Sequence, residues 1–196
     1  MLRENVAQLS YITAAENIPS ILKIGICSHN YMNKGAIKHR SIANPEVQAR
    51  RTIKRLPGGK DLHDYVNLYF NPRNAMMYRV RKDETVCVLQ VSSQVMNLDG
   101  VFYSSRNAAV SNATFRPCAG ITRFEIDEDH LHATTWVDPL NDARDTNRME
   151  IMQAEILVPN QVPPEFIEAI CVRSRKQQTE IECPIDIRVE PFLFFE

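Results

Sequence analysis

Strand-like apolar runs follow one another through this chain without long helices between them, and that order restricts the fold more than any other feature. TVCVLQVS at 85–92 is the strongest run. A shorter β-prone stretch opens SYITAAENIPS, residues 65–70 form another that ends at Asn71-Pro72, and GVFYSS lies at 100–105. MQAEILVP, FIEAICVRS and DIRVEPFLFF follow late in the chain. A doubly wound sheet would alternate strands with crossover helices, so the pattern predicts an α+β fold. No Gly-x-Gly-x-x-Gly follows a strand, which argues against a Rossmann nucleotide site. At 196 residues, 44% of them hydrophobic and 24% charged, the chain fits one globular domain over 1–196.

Two helix starts carry local signals. Residues 17–23 place Ile18, Ile21 and Leu22 on one face, with Gly25 as the stop. In SIANPEVQARRTIKRLPGG, Asn44 can cap, Pro45 suits the first turn and Pro57-Gly58-Gly59 ends the run. On a helix over 45–55, Arg50, Arg51, Lys54 and Arg55 form a basic stripe beside Val47. RNAMMYRV at 73–80 reads as a short helical turn, and 111–148 as loop-rich and acidic.

The net charge of −1 conceals a division. Residues 34–60 hold eight Lys or Arg against Glu46 alone, whereas 125–155 hold nine acids against Arg144 and Arg148. The two stretches either pair or lie on separate faces, or the basic one meets a polyanion. The five cysteines show no CxxC, and Cys87 and Cys171 read as buried thiols. The N-terminal MLRENVAQLSY has no apolar h-region and no window approaches 18 uncharged apolar residues, so the expectation is a cytoplasmic protein without a membrane span.

Three features could carry chemistry. Glu155 enters an apolar strand on the side of Leu157, either as an edge charge reaching solvent or as a carboxylate placed beside a cleft. One of the paired arginines could present its donor fork to an anion, and charge counting does not separate Arg50 from Arg51. His63 and Asp64 are a weak catalytic pair, the commoner outcome being a buried, hydrogen-bonded histidine. His130 and His132 would share a strand face, but with no third ligand nearby no metal site is expected.

Taken in order, YITAAENIPSILKIGI, RSIANPEVQARR, PGGKDLHDYVNLYFNPRNAMMY and QAEILV form a series that resembles the DarT-type DNA ADP-ribosyltransferases, toxins of toxin–antitoxin pairs. The likeness spans residues 10–172 and is strongest over 40–78. It implies an ADP-ribosyltransferase fold that consumes NAD+ as a substrate and transfers ADP-ribose to thymine or guanine in single-stranded DNA. It also implies a macrodomain antitoxin that removes the mark. Glu155 would be the catalytic glutamate and Arg51 the second catalytic residue. Tyr11, Ile12, Thr13, Ser20, Arg51 and Tyr69 would line the NAD+ pocket, and about 112–154 would frame the acceptor base. Arg50, Lys54 and Arg55 on the basic helix, with Arg73 and Asn74 at the turn, are the candidates for DNA contact. Met76, Met77 and Tyr78 are expected to pack.

This chain departs from the family pattern in three places. Tyr11 stands where relatives often have histidine, Ala14-Ala15 replaces a second histidine, and Pro72-Arg73-Asn74-Ala75-Met76 stands for Pro-Arg-Ser-Pro-Met. Transfer to RNA or protein, and a nucleic-acid-binding module in which Glu155 is only structural, are the alternatives.

Overall fold

The computed structural model describes residues 1–138 and 142–196. Among them are ten strands: β1 Gln8–Ala14, β2 Ile26–Cys27, β3 Tyr65–Tyr69, β4 Val86–Ser92, β5 Phe102–Ser104, β6 Phe115–Pro117, β7 Glu155–Pro159, β8 Gln161–Val162, β9 Ile167–Val172 and β10 Asp186–Val189. The helices are short: α1 Ile18–Ile24, α2 His29–Lys34, α3 Pro45–Thr52, α4 Ala75–Arg79, α5 Glu128–Leu131, α6 Thr146–Ile151 and α7 Arg175–Glu180. The expected α+β class is the one observed. Eight strands form one sheet in the order β10-β9-β4-β1-β3-β7-β5-β6, antiparallel except for β9 with β10, and β2 pairs with β8 apart from it.

Both faces of the sheet are covered, which is why its strands read as apolar runs. Alternation along β4 sends Cys87, Leu89 and Val91 into the main core, with Leu68 of β3, Ile156 of β7, Ile170 of β9 and Ile18 and Ile21 of α1. The opposite face is split into two patches. Ile12, Tyr69, Val86, Val88 and Cys171 pack under Met77 and Phe194, while Tyr65 and Leu157 pack with Leu56, Leu62 and Ala108. The strand pairing is divided nearby. β1 pairs with β4 from Gln8↔Ser92 through Ala14↔Val86, but meets β3 at Ser10↔Tyr69 alone. Beyond that point β1 and β3 part, and a cleft opens between them.

Local chemistry sets the connections around the cleft. Gly25 ends α1 at φ +82°, where a Cβ would lie 2.2 Å from the Val162 carbonyl oxygen, so no other residue fits between α1 and β8. Asn44 caps α3 by accepting from the Glu46 N–H at 2.9 Å, with Pro45 in the first turn. The end of α3 differs from the expectation. The helix stops at Thr52, because the next backbone groups bond across a tight loop: Leu62 N–H to the Lys54 carbonyl, Leu56 N–H to that of Lys60, and a bridge between Arg55 and Asp61. Burial of Leu56 and Leu62 holds that loop, so Lys54 and Arg55 leave the helix and the four-residue stripe does not form. His130 and His132 do not share a strand face either. Asp127 caps α5 by accepting from the His130 N–H, which makes the segment helical.

Candidate active site

A buried ion pair sits in the cleft wall. Cross-strand pairing aligns Glu155 with Tyr69 of β3 on one side and Ser104 of β5 on the other, so β7 lies inside the sheet and Glu155 is not an edge charge. The residue is 1% exposed. Arg51, in the last turn of α3 and 6% exposed, places Nη1 3.3 Å from Glu155 Oε1 and 3.1 Å from Oε2. The backbone N–H of Ala108 donates to Oε1 at 2.9 Å. A carboxylate and a guanidinium removed from water are tolerable only when paired and hydrogen-bonded in this way.

The cleft these groups face has a volume of about 1100 Å³. Strand β1 lends it Tyr11, Ile12 and Thr13, β3 lends Tyr65, Asn67 and Tyr69, and α3 lends Val47, Gln48, Arg50 and Arg51. Burial pushes the Tyr11 phenol up to about 12, with Cys27 adding to the shift. It raises Tyr69 further, with the Glu155 charge as the second cause, so both rings face the cleft as neutral phenols. The Tyr69 hydroxyl donates to the Met76 sulfur at 3.4 Å.

Residues with no assigned role in the sequence shape the site as well. Asn17 is 8% exposed and ties a loop to β1, its amide donating to Thr13 Oγ1 and the Arg40 carbonyl and accepting from the Arg40 N–H. Arg40 is fixed in turn by Asp83 at 2.6 Å and Glu16 at 3.1 Å. Asn107 Nδ2 donates to Gln153 Oε1, which steadies the segment that carries the Ala108 N–H. The buried asparagine in YITAAEN was the available signal; nothing local marks Ala108, which acts through its backbone.

His63 is 7% exposed, its Nε2 3.0 Å from Gln48 Oε1 and its ring 4.5 Å from that of His29. Burial holds its pKa down to about 4, helped by His29 and Arg51 and opposed by Asp61 and Asp64. Because the folded value lies below the ordinary 6.5, the unfolded chain binds the extra proton between pH 6.5 and 4. The His63 contribution to stability is therefore fully present above pH 6.5 and is lost, by on the order of 2–3 kcal/mol at most, as the pH drops to 4. Urea unfolding of wild type and His63→Asn checks this: the gap between them should close on acidification, and a constant gap would show that His63 does not titrate as described.

Five expected contacts are placed elsewhere. Ser20 lies on α1 outside the cleft lining, two residues on from buried Ile18 and so on the other side of the helix. Lys54 donates to the Val110 carbonyl at 2.6 Å, and Arg55 pairs with Asp61 at 2.8 Å. Arg73 donates to the carbonyls of Phe192 and Phe194 and lies 4.2 Å over the Phe195 ring. Asn74 is fully buried as the cap of α4, accepting from Met76 and Met77 N–H and donating to the Asn71 carbonyl. Those four hold the chain's own backbone or carboxylates, although Arg55 stays exposed, whereas Arg50 is exposed on the cleft wall itself. Met77 packs as expected, but Tyr78 is 42% exposed and lines the cleft. Of the segment 112–154, Trp136, Val137, Arg144, Thr146, Met149, Glu150 and Gln153 reach the cleft, and 139–141 lie outside the described residues.

The sequence and the fold have counterparts. The chain is 28% identical over 190 residues to a DNA ADP-ribosyl transferase–DNA ADP-ribosyl glycohydrolase fusion protein of Thermosipho africanus, covering 95% of itself but only 47% of that protein. It is 31% identical over 185 residues to a DNA ADP-ribosyl transferase of Thermus sp. strain 2.9, covering 87% and 83%. The structure of Thermus sp. 2.9 DarT in complex with ADP-ribosylated ssDNA superposes with a TM-score of 0.81 at 26% identity over 97% of each chain. The same protein in complex with NAD+ gives 0.75 at 25% identity, over 97% of this chain and 98% of that one. The family model described as "ssDNA thymidine ADP-ribosyltransferase, DarT" matches residues 10–194, and over that span the chain belongs to the DarT family.

Proposed function

We propose that this chain transfers ADP-ribose from NAD+ to a base of single-stranded DNA, with release of nicotinamide. The observation that carries the reading is Glu155, a carboxylate 1% exposed, fixed by Arg51 and the Ala108 N–H in the wall of the cleft. The cleft, at about 1100 Å³, exceeds the roughly 300–1,000 Å³ usual for small-molecule pockets and has room for a dinucleotide beside a base. Residues 1–196 act as a single ADP-ribosyltransferase domain.

Glu155 supplies negative charge beside the ribose as its bond to nicotinamide breaks and positive charge develops on the sugar. Nicotinamide leaves neutral, so no strong general acid is needed. A ring nitrogen of the acceptor base bonds to the ribose carbon, and its proton passes to water. Arg51, whose guanidinium offers donors and no acceptor, holds the deprotonated base as an anion. Tyr11, Ile12, Thr13 and Tyr69 hold NAD+, and Arg50 neutralises a phosphate of the DNA. Thymidine is the acceptor that the family description names. The Thermosipho relative carries a DNA ADP-ribosyl glycohydrolase in the same chain. That supports a toxin whose mark a macrodomain antitoxin reverses, and the cytoplasm is the compartment we propose for it.

Incubation with NAD+ and single-stranded oligonucleotides differing in base, followed by mass spectrometry of the nucleosides, tests the proposal. The expected product is a nucleoside heavier by one ADP-ribose. An adduct confined to RNA or protein overturns the choice of acceptor, and no consumption of NAD+ leaves a binding module.

A further inference from the structure

Three aromatic rings meet at the cleft rim: Tyr78 and Trp136 lie outside the buried clusters, and Phe195 packs against the one that holds Met77 and Phe194. Tyr78 of α4 lies 5.5 Å from Trp136 at 87° and 5.3 Å from Phe195 at 88°, and Trp136 lies 5.7 Å from Phe195 at 66°. Such edge-to-face contacts also occur in cores, but Tyr78 is 42% exposed, Trp136 is partly exposed, and both line the cleft. The chain brings the rings together from three separate segments. Arg73 bonds the carbonyls around Phe195 and covers one face of its ring, which makes Phe195 a fixed support. Arg81 lies 4.0 Å over the Tyr78 ring.

The same end of the cleft is cationic, with Arg79, Arg81 and Arg144 in its lining. Among the described residues these donate to neutral acceptors: Arg79 to the Ile42 carbonyl, Arg81 to the Tyr78 carbonyl and Arg144 to the Met149 sulfur. Flat aromatic surface beside guanidinium charge suits an unpaired base with its phosphate, since every base has a face to stack and stacking requires no particular sequence.

We propose that Trp136 and Tyr78 form a stacking subsite for a nucleobase of the DNA strand next to the acceptor base, with Arg79, Arg81 and Arg144 around its phosphate. The inference rests on the DNA-modifying reading of the cleft. The subsite gives the strand a second point of attachment away from Glu155, so the acceptor base is held by its neighbour as well as by the pocket. The adenine of NAD+ offers a similar flat ring, and the test separates the two.

Trp136 is the sole tryptophan of the chain, so its fluorescence reports on the subsite directly. Wild-type protein is titrated in turn with a thymidine oligonucleotide, the same strand made abasic at the positions flanking the acceptor, and NAD+ alone. The intact strand should quench Trp136 strongly and the abasic strand little, with NAD+ having no effect. In steady-state assays Trp136→Ala should raise the oligonucleotide KM by about 5- to 100-fold with the KM for NAD+ unmoved, and Trp136→Phe should recover most of the loss. Tyr78→Leu, on a different element, should move the same constant in the same direction, with thermal melts confirming that each variant is folded. Quenching by NAD+ in place of DNA, equal quenching by abasic and intact strands, or an unchanged oligonucleotide KM in folded Trp136→Ala that still modifies DNA each overturn the subsite alone. A wild-type chain that neither binds nor modifies the oligonucleotide overturns the proposed function and the subsite with it.

Discussion

Glu155→Gln should cut DNA-dependent transfer by a factor on the order of 10²–10³ while NAD+ still binds. Glutamine keeps the shape of the side chain and one oxygen, which at the Oε1 position accepts from the Ala108 N–H and from Arg51, while its NH2 takes the Oε2 position and cannot accept from Arg51. It removes the negative charge that favours the transition state over the bound substrate, so the loss belongs in kcat more than in KM. The substitution also leaves the buried Arg51 without a counter-charge. Losing one partner of a buried pair costs about 3–5 kcal/mol when nothing replaces it. The retained amide oxygen should reduce that cost, which makes glutamine the sharper probe than alanine. Nicotinamide release with single-stranded DNA, NAD+ binding by calorimetry and a denaturant melt together check the assignment. Undiminished release from a folded variant would remove Glu155 from the chemistry.

The strands were legible because both faces of the sheet are buried. Strand β4 therefore reads as an apolar run, with Cys87, Leu89 and Val91 feeding one cluster and Val86 and Val88 another. Glu155 stood out for the same reason, as a charge inside an otherwise apolar strand. The end of α3 was hidden because its stop is set by bonds to residues 60–62 and by burial of Leu56 and Leu62, not by the Pro-Gly-Gly step. Arg73 and Asn74 looked like exposed turn residues, yet the backbone at 192–194 and the first turn of α4 claim their donors and acceptors. Trp136 gains meaning only beside Tyr78 and Phe195, which come from distant parts of the chain. Local pattern specified the sheet, whereas partners far apart in sequence specified the cleft.

The choice between Arg50 and Arg51 shows the same division, and it gives the second large effect. The two are adjacent on α3, so the helix points them about 100° apart, and the partner decides which one is buried. Arg51 meets a carboxylate 104 residues away, while Arg50 remains exposed on the cleft wall. Arg51→Ala should therefore lose about 3–5 kcal/mol of stability, because Glu155 is left buried without its partner. It should also lose transfer entirely at temperatures where the variant remains folded. Arg50→Ala should stay within about 0.5 kcal/mol of wild type and weaken DNA binding evenly across sequences, with a salt slope shallower by about one. The double variant Arg51→Ala with Glu155→Ala separates charge from packing. Removing both charges should cost less stability than the two single changes added together, by on the order of 1–3 kcal/mol. Strict additivity would mean that the ion pair is a bystander, and equal modest losses for Arg50→Ala and Arg51→Ala would reduce the pair to a diffuse phosphate patch. A sub-additive loss of stability with no transfer at all is the expected pattern, because the double variant lacks both the carboxylate and the guanidinium that meet in this one contact.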